Sequence, residues 1–237
     1  MSCGGNYNYE LIAKLSFPRK REWHKLILED LYMFIIDFDD TLFDNYAFKH
    51  ARQRAAADAG VSAEDFLASY RAVSQRGGYS NEAHAAELAG LGYDAGKVLQ
   101  AFEITTGPAL AEWRLPDAVR FLERLAGLGE QLVLFSYGNP AFQELKIIGA
   151  GIGTYFDQLV LTPVPKRESI TRLPARKGDE TAWFINNRVD ETIELCQLIP
   201  ASGVLKRPPE ETEEVFKTSG LPYFLTLVEI GEYVATR

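Results

Sequence analysis

Short apolar runs recur along the chain from residue 31 onwards, and each is five to seven residues long. Runs of this length, bounded by polar or glycine-containing segments, are typical of buried strands rather than of helices. The runs are 31–36 (LYMFII), 131–136 (QLVLFS), 156–162 (FDQLVLT), 181–186 (TAWFIN) and, more weakly, 202–206 (SGVLK).

Helical stretches separate the later runs. Residues 139–151 (NPAFQELKIIGAG) have a proline just inside the start and a glycine at the end, which is typical of a helix. Further helical patterns follow at 166–173 (KRESITRL) and 190–199 (DETIELCQLI). Strands that alternate with helices predict an α/β fold with a doubly wound parallel sheet and right-handed crossovers.

Roughly 90 residues separate the first run from the second, far more than one crossover needs. They show several helical patterns, of which the last, at 115–129 (LPDAVRFLERLAGLG), is sufficient for the crossover. We therefore predict a helical domain at 45–114, inserted into a core formed by 31–44 and 115–237. Residues 1–30 are polar and carry a basic cluster, so we predict a solvated or loosely docked N-terminal extension.

Composition excludes several classes of protein. A chain of 237 residues that is 46% hydrophobic can bury a real core. The chain has 33 acidic and 25 basic residues, and the resulting net charge of -8 disfavours binding to nucleic acid and anionic membranes. Cys3 and Cys196 show no disulfide or thiolate-metal spacing, and no apolar run reaches the roughly 18 residues of a membrane span. We expect a cytoplasmic protein with no nucleic-acid or membrane partner. The oligomeric state is unknown.

Polar side chains follow the predicted strands at their carboxyl ends, where open parallel α/β sheets bind ligands. They are Asp37, Asp39, Asp40 and Thr41 after the first run, Ser136, Tyr137, Gly138 and Asn139 after the second, Lys166 after the third, and Asn186, Asn187 and Asp190 after the fourth.

In this order the residues resemble the four motifs of the haloacid dehalogenase-like (HAD) superfamily. DFDDT (37–41) matches the family's strand ending in D-x-D-x-T, LVLFS (132–136) its strand ending in Ser or Thr, and PKRES (165–169) its lysine. WFINNRVD (183–190) matches the fourth motif in part, because the family usually has Asp at the position of Asn186. The resemblance covers about residues 31–236. It implies a HAD-like Rossmannoid core with a C1-type helical cap.

Phosphoryl transfer requires a nucleophile, positive charge and a proton donor for the leaving oxygen. With the resemblance, this chemistry predicts Asp37 as the nucleophile that forms an aspartyl-phosphate, Asp39 as the acid and base, and Lys166 as the cation that holds Asp37 ionised. The predicted phosphate-binding residues are Thr41, Ser136, Tyr137, Gly138 and Asn139. The predicted ligands of Mg²⁺ are Asp37, Asp39, Asn186 and Asp190.

Structural roles compete with these assignments. Asp37 and Asp39 are also turn-capping residues, Ser136 is a common turn residue, and Lys177 competes with Lys166. Asp190, followed by an acidic neighbour, also suits the first turn of a helix. For Tyr79 and His84 in the insert, packing within a helical bundle is favoured over a place at the entrance of the site.

The sequence thus predicts a magnesium-dependent hydrolase, a phosphatase that acts on a small phosphorylated metabolite. Asp39 favours phosphoester chemistry, because this position is not acidic in the family's dehalogenase branch, where no alkoxide needs a proton. One alternative is a noncatalytic phosphate-binding or regulatory protein with a degraded metal site, since Asn186 and Asn187 are neutral. A phosphotransferase or mutase is the other alternative.

Overall fold

Six parallel strands form one sheet in the part of the chain that the structure, a computed structural model, describes: residues 33–76, 78–173 and 182–237. The strands are β1 (Met33–Ile36), β2 (Gln131–Tyr137), β3 (Gln158–Thr162), β4 (Ala182–Asn186), β5 (Ala201–Lys206) and β6 (Tyr223–Phe224). Their order is β3-β2-β1-β4-β5-β6, and each neighbouring pair is parallel. The predicted fold class, an α/β fold with a doubly wound parallel sheet, is confirmed. The sequence did not predict β6, because two residues are too few to show a hydrophobic period.

Four helices follow β1 and lie within the predicted insert. They are α1 (Asn45–Asp58), α2 (Ala63–Gln75), α3 (Asn81–Gly90) and α4 (Ala95–Thr106). Each begins after an Asp or Ser whose side chain accepts a hydrogen bond from a backbone N–H of the first turn, and these residue types are favoured helix caps. The helices surround an apolar cluster of their own that includes Phe66, Leu88 and Phe102.

The chain enters and leaves this insert at neighbouring points. The backbone N–H of Asp44 donates to the carbonyl oxygen of Trp113 at 2.7 Å, and the N–H of Leu115 donates to the carbonyl oxygen of Leu42 at 2.9 Å. Two antiparallel segments therefore join the insert to the core. A short 3-10 helix, Pro108–Trp113, precedes the exit.

Helices cover both faces of the sheet. They are α5 (Ala118–Gly127), α6 (Pro140–Gly149), α7 (Lys166–Ser169), α8 (Val189–Leu198), α9 (Glu213–Ser219) and α10 (Leu227–Val234). Because successive side chains of a strand point to opposite faces, β1 contributes Phe34 and Ile36 to one apolar cluster and Met33 and Ile35 to another. The first cluster includes residues of α5, α6 and α10, and the second includes Leu195 of α8.

The direction of strand progression reverses between β1 and β4, which are neighbours in the sheet. In doubly wound folds the crevice at such a reversal is where ligands bind. Asp37 follows β1 directly and Asn186 ends β4, so both lie at this crevice.

Two parts of the sequence interpretation, the extension at residues 1–30 and Lys177, lie outside the described residues. Among the helices of the described ranges, none has the length and apolar character that crossing a membrane would require.

Candidate active site

Asp37 and Lys166 form a buried ion pair at the end of β1. The side chain of Lys166 places Nζ 2.6 Å from Oδ1 of Asp37, and both residues are almost inaccessible to solvent, at 3% and 6% exposure. The second carboxylate oxygen, Oδ2, accepts a longer hydrogen bond from the Thr41 hydroxyl at 3.3 Å. The backbone N–H of Asp37 donates to the carbonyl oxygen of Ile185, which fixes the residue against β4.

Glu191, in the first turn of α8, is a second anionic partner of Lys166, with Oε2 2.8 Å from Nζ. Burial opposes the charged ammonium, but Asp37 and Glu191 together raise the pKa of Lys166 above its ordinary value. Burial also raises the pKa of Asp37, against the influence of Lys166, and the charge of Glu191 adds to that rise. A carboxylate with a raised pKa is a stronger nucleophile once ionised, and Lys166 stays a cation beside it.

Asn186 and Glu191 are also directly connected. The amide Nδ2 of Asn186 donates to Oε2 of Glu191 at 3.0 Å, and Oδ1 of Asn186 accepts from the backbone N–H of Asn187 at 2.9 Å. The carboxylate of Asp190, in contrast, is exposed and accepts a hydrogen bond from Arg188 at 2.8 Å. The structure thus brings Glu191, rather than the predicted Asp190, into the site.

Neighbouring residues on a helix point about 100° apart, so Asp190 and Glu191 cannot both face the crevice. Both acids suit the first turn of a helix, and the sequence predicts Asp190 for the site. A buried lysine needs more than one hydrogen-bond acceptor, and this requirement could have indicated Glu191 as a second partner of Lys166.

The predicted magnesium ligands are not gathered around one point. The described residues contain no group of three or more His, Cys, Asp or Glu side chains arranged to hold a metal ion. The ammonium of Lys166 contacts both Asp37 and Glu191, and the oxygen of Asn186 is engaged by a backbone N–H. The side chains as arranged do not fit a magnesium site formed by Asp37, Asp39, Asn186 and Asp190, and Lys166 supplies positive charge between two carboxylates.

Asp39 has its own cation. Lys146 of α6 places Nζ 2.5 Å from Oδ1 of Asp39, and Gln143, three residues earlier on the same helix, donates from Nε2 to Oδ2 at 2.8 Å. The same Gln143 nitrogen lies 2.9 Å from the hydroxyl of Ser136. Sequence reasoning missed Lys146 and Gln143, because polar residues within a helix that begins Asn-Pro ordinarily face solvent.

The loop after β2 uses most of its polar groups for its own structure. Ser136 is buried against Gln143, the backbone N–H of Gly138 donates to the carbonyl oxygen of Thr162 at 2.9 Å, and the side chain of Asn139 caps α6. Gly138 has a φ of +144°, and a Cβ there would lie 3.2 Å from the Gln143 side chain. Of the predicted phosphate-binding residues, Tyr137, Gly138 and Asn139 border a cavity at this edge of the sheet.

A cavity of about 180 Å³ lies between the insert and the carboxyl edge of the sheet. From the core, its walls include Asp39, Gln143 and Lys146. From the insert, they include Lys49 and Arg52 of α1. Asp39 thus lines the cavity two residues beyond Asp37 of the buried ion pair. The cavity is large enough for a small organic group.

No protein-family model matches the sequence, and a search of curated proteins found no relative. Solved structures do resemble this one. YfnB from Bacillus subtilis, named as a HAD-hydrolase and bound to magnesium, superimposes with a TM-score of 0.57 at 18% identity, over 86% of this chain and 99% of that one. L-2-haloacid dehalogenase from Xanthobacter autotrophicus with covalently bound chloropropionic acid gives 0.57 at 18% identity, over 86% and 98%.

A predicted phosphatase from Clostridium acetobutylicum gives a TM-score of 0.55 at 17% identity, over 88% of this chain and 100% of that one. These matches span both the sheet and the inserted helices, because each covers well over four fifths of both chains. The resemblance of the sequence motifs is therefore matched by the three-dimensional structure: the chain has the fold of the haloacid dehalogenase-like hydrolases.

Proposed function

We propose that this protein is a HAD-type hydrolase that cleaves small phosphomonoesters through an aspartyl-phosphate on Asp37. The observation that carries the proposal is the ion pair of Asp37 with Lys166 at the reversal point of the sheet, with Asp39 two residues away at the cavity wall. The fold of the similar structures supports it, and they include both a dehalogenase and a predicted phosphatase.

In the proposed reaction Oδ2 of Asp37 attacks phosphorus. Oδ1 is held by the Lys166 ammonium, whereas Oδ2 has one long hydrogen bond from Thr41 and is the freer of the two oxygens. The P–O bond to the leaving group breaks as the new O–P bond forms, and Lys166 offsets the negative charge that gathers at the strand end.

Asp39 handles the protons. In the proposed mechanism the Asp39 carboxyl, hydrogen-bonded to Lys146, donates a proton to the leaving oxygen, and the resulting carboxylate then takes a proton from the water that hydrolyses the aspartyl-phosphate. Each turnover therefore returns Asp39 to its starting state. Gln143, bonded to Asp39 and Ser136, keeps the carboxylate oriented during both steps.

The magnesium requirement is a separate part of the proposal. A similar structure is bound to magnesium, but the described side chains here pair with lysines and amides instead. The roles assigned to Asp37, Asp39 and Lys166 above use this chain's own groups. A magnesium titration against a chelator control measures whether the ion adds to them.

Halide displacement is a second candidate. Two observations favour it: the described residues gather no metal-binding group, and a haloacid dehalogenase is among the similar structures. Asp39 argues against it, since carbon–halogen cleavage leaves no alkoxide to protonate.

A cytoplasmic location and a small-molecule substrate are also part of the proposed function. The net charge of -8 disfavours nucleic acid, and the cysteines show no disulfide pattern.

The test is a parallel assay of phosphate release from para-nitrophenyl phosphate and a metabolite panel, and of chloride release from 2-chloropropionate, with and without magnesium. Phosphate release that disappears in the Asp37→Asn variant supports the proposal. Chloride release without phosphate release replaces it with the second candidate. Absence of both, in a protein that melts cooperatively, favours the noncatalytic alternative.

A further inference from the structure

Arg52 is a buried cation for which the described part of the chain supplies no acidic partner. Its side chain, on α1, is 1% exposed, and its guanidinium lies 4.2 Å from the centre of the Phe102 ring. Nη1 donates to the hydroxyl of Thr105 at 3.1 Å, and Nη2 donates to Oδ1 of Asn81 at 2.7 Å and to the Tyr79 hydroxyl. Within the described ranges, no carboxylate lies at ion-pair distance from this guanidinium.

The polar side chains around Arg52 are neutral and supply no compensating negative charge. Tyr79, which is predicted and observed to be buried, has a pKa raised by burial to about 12. Its hydroxyl accepts from Arg52, so its proton goes to Nδ1 of His84 at 2.8 Å, while Nε2 of His84 donates to Ser69. Burial and the charge of Arg52 lower the pKa of His84 to about 4, so this histidine is neutral at physiological pH. The network orients Arg52 but does not neutralise it.

The cavity that Arg52 borders is electropositive. Among the described residues that line it, three are cations, Lys49, Arg52 and Lys146, and one is an acid, Asp39, which gives a net formal charge of +2. The whole chain has a net charge of -8, so this positive charge runs against the overall composition. A buried cation costs several kcal/mol unless an anion offsets it, and a cavity beside it is a place for that anion.

Three buried polar atoms on residues that line the cavity have no hydrogen-bond partner among the described residues: Nε of Arg52, a donor, Oγ of Ser74, and Oε1 of Gln143, an acceptor. Buried polar groups are almost always paired in folded proteins, so such atoms ask for an explanation. Arg52 and Ser74 belong to the insert and Gln143 to the core. All three atoms are closed off from solvent, so an anion bound in the cavity reaches the side chains of Arg52 and Gln143 only if they turn towards it.

We propose that the cavity binds a second anionic group of the substrate, a carboxylate or a phosphate, and that Arg52 selects for it. The inference rests on the proposed function in one respect, that the group attacked by Asp37 is a phosphoryl group. The substrate class is then a phosphomonoester whose leaving group carries an oxyanion, as a phosphorylated hydroxy acid or a bisphosphate does. Arg52 is a specificity-determining residue in this view and takes no part in bond cleavage.

Non-hydrolysable phosphonates test the inference without relying on turnover. The probes are propylphosphonate, which has no second anion, 3-phosphonopropionate, which has a carboxylate, and 1,3-propanediphosphonate, which has a second phosphonate. Binding is measured by titration calorimetry at constant ionic strength. The wild-type protein is expected to bind at least one of the two dianchored probes about tenfold or more tightly than propylphosphonate, because a charge-assisted hydrogen bond is gained. Equal affinity for all three probes overturns the inference with no variant needed.

Variants locate the effect. Arg52→Gln is expected to lose the preference for the second anion, and Arg54→Gln, an exposed arginine on the same helix, is the matched control and is expected to keep it. If Arg52→Gln does not fold, Lys49→Gln removes a cavity cation that is not part of the buried network, and the preference should fall in that variant. An unchanged preference in Arg52→Gln and Lys49→Gln contradicts the assignment. A protein that shows the preference but releases no phosphate leaves the binding inference standing and removes the proposed hydrolysis.

Discussion

Lys146 lies 2.5 Å from Asp39, so Asp37 and Asp39, two residues apart on the chain, each have a lysine of their own. The two lysines come from different helices, Lys166 from α7 and Lys146 from α6. Two carboxylates that close in sequence would otherwise repel each other and resist burial. The separate ion pairs allow Asp37, the proposed nucleophile, to stay buried while Asp39 lines the cavity.

Replacing Asp37 by Asn is expected to abolish phosphate release and to leave the fold intact. The amide cannot form an aspartyl-phosphate, but it keeps nearly the same shape at the end of β1. Phosphate release is measured by a colorimetric assay and the fold by circular dichroism and thermal melting. A folded variant that still releases phosphate would falsify the covalent mechanism.

Replacing Lys146 by Met is expected to lower both activity and stability. The change leaves Asp39 partly buried without its cation, and since the Asp39 side chain is 28% exposed we expect a loss of about 1–3 kcal/mol rather than the larger loss of a fully buried pair. Urea denaturation measures the stability. Lys97→Met is the control, because Lys97 is exposed, does not line the cavity and has no carboxylate partner among the described ion pairs.

The variant Asn186→Asp is expected to make stability depend on magnesium. Nδ2 of Asn186 now donates to Glu191 at 3.0 Å, and an Asp would set two carboxylates against each other there, which costs about 1–3 kcal/mol. A divalent cation offsets that repulsion, so the melting temperature should be low in EDTA and should rise with magnesium more than for the wild-type protein. Identical magnesium responses of the two proteins would show that position 186 takes no part in binding a cation.

Asp40 gives a prediction for pH. Burial, with the neighbouring charge of Asp39, raises its pKa from 3.8 to about 7, so the folded state holds a proton that the unfolded state releases near pH 4. The Asp40 carboxyl therefore makes its full contribution to the free energy of unfolding below about pH 4, and this contribution is lost as the pH rises towards 7. Asp40→Asn removes the titration, tolerates the φ of +57°, and keeps an acceptor for the N–H of Tyr46.

The expected result is that Asp40→Asn is more stable than the wild-type protein at pH 8, by about 1–3 kcal/mol, and that the difference shrinks towards pH 4. Urea denaturation at several pH values measures it. A difference that is constant across this range would mean that Asp40 does not titrate as described.

Gly78 tests the contact between the insert and the core. Its φ is +112°, and a Cβ there would lie 2.5 Å from the backbone nitrogen of Asn139. Gly60 has a similar φ of +91° but nothing within 4 Å of its Cβ position, so Gly60→Ala carries the backbone strain alone. Gly78→Ala is expected to reduce kcat/KM by more than Gly60→Ala, because the insert must shift away from the cavity. Equal effects of the two variants would mean that the close approach is irrelevant to activity.

The sheet could be predicted because its strands are continuous apolar runs of the right length, and Asp37, Ser136 and Asn186 could be placed at its edge because strand ends are legible in the sequence. The partners of these residues could not. Whether Asp190 or Glu191 faces the crevice depends on the rotation of α8 about its axis. A rotation equal to one residue exchanges the two acids, and the sequence does not specify it. Strand β6 has only two residues, which are too few to show a hydrophobic period in the sequence.

Lys146 and Arg52 illustrate a second reason. Both look like solvent-exposed helix residues in the sequence, because lysine and arginine are rarely fully buried. Arg52 is buried by residues of the other insert helices and Lys146 by residues that follow β1, and such tertiary contacts have no local signature in the sequence. The composition of 45–114 indicated helices, but it did not indicate which helical face meets the cavity.

The adjacency of the two connections at Leu42–Asp44 and Trp113–Leu115 bears on how such a protein can evolve. Because the chain leaves the core and returns to it at almost the same place, the whole helical module can be lengthened, swapped or lost while the ends that the core must join stay where they are. Under the proposed function Asp37 and Lys166 of the core act on the substrate, and under the proposed role of Arg52 the insert selects it. Selection could then change substrate preference through Lys49 and Arg52 while Asp37 and Lys166 remain untouched.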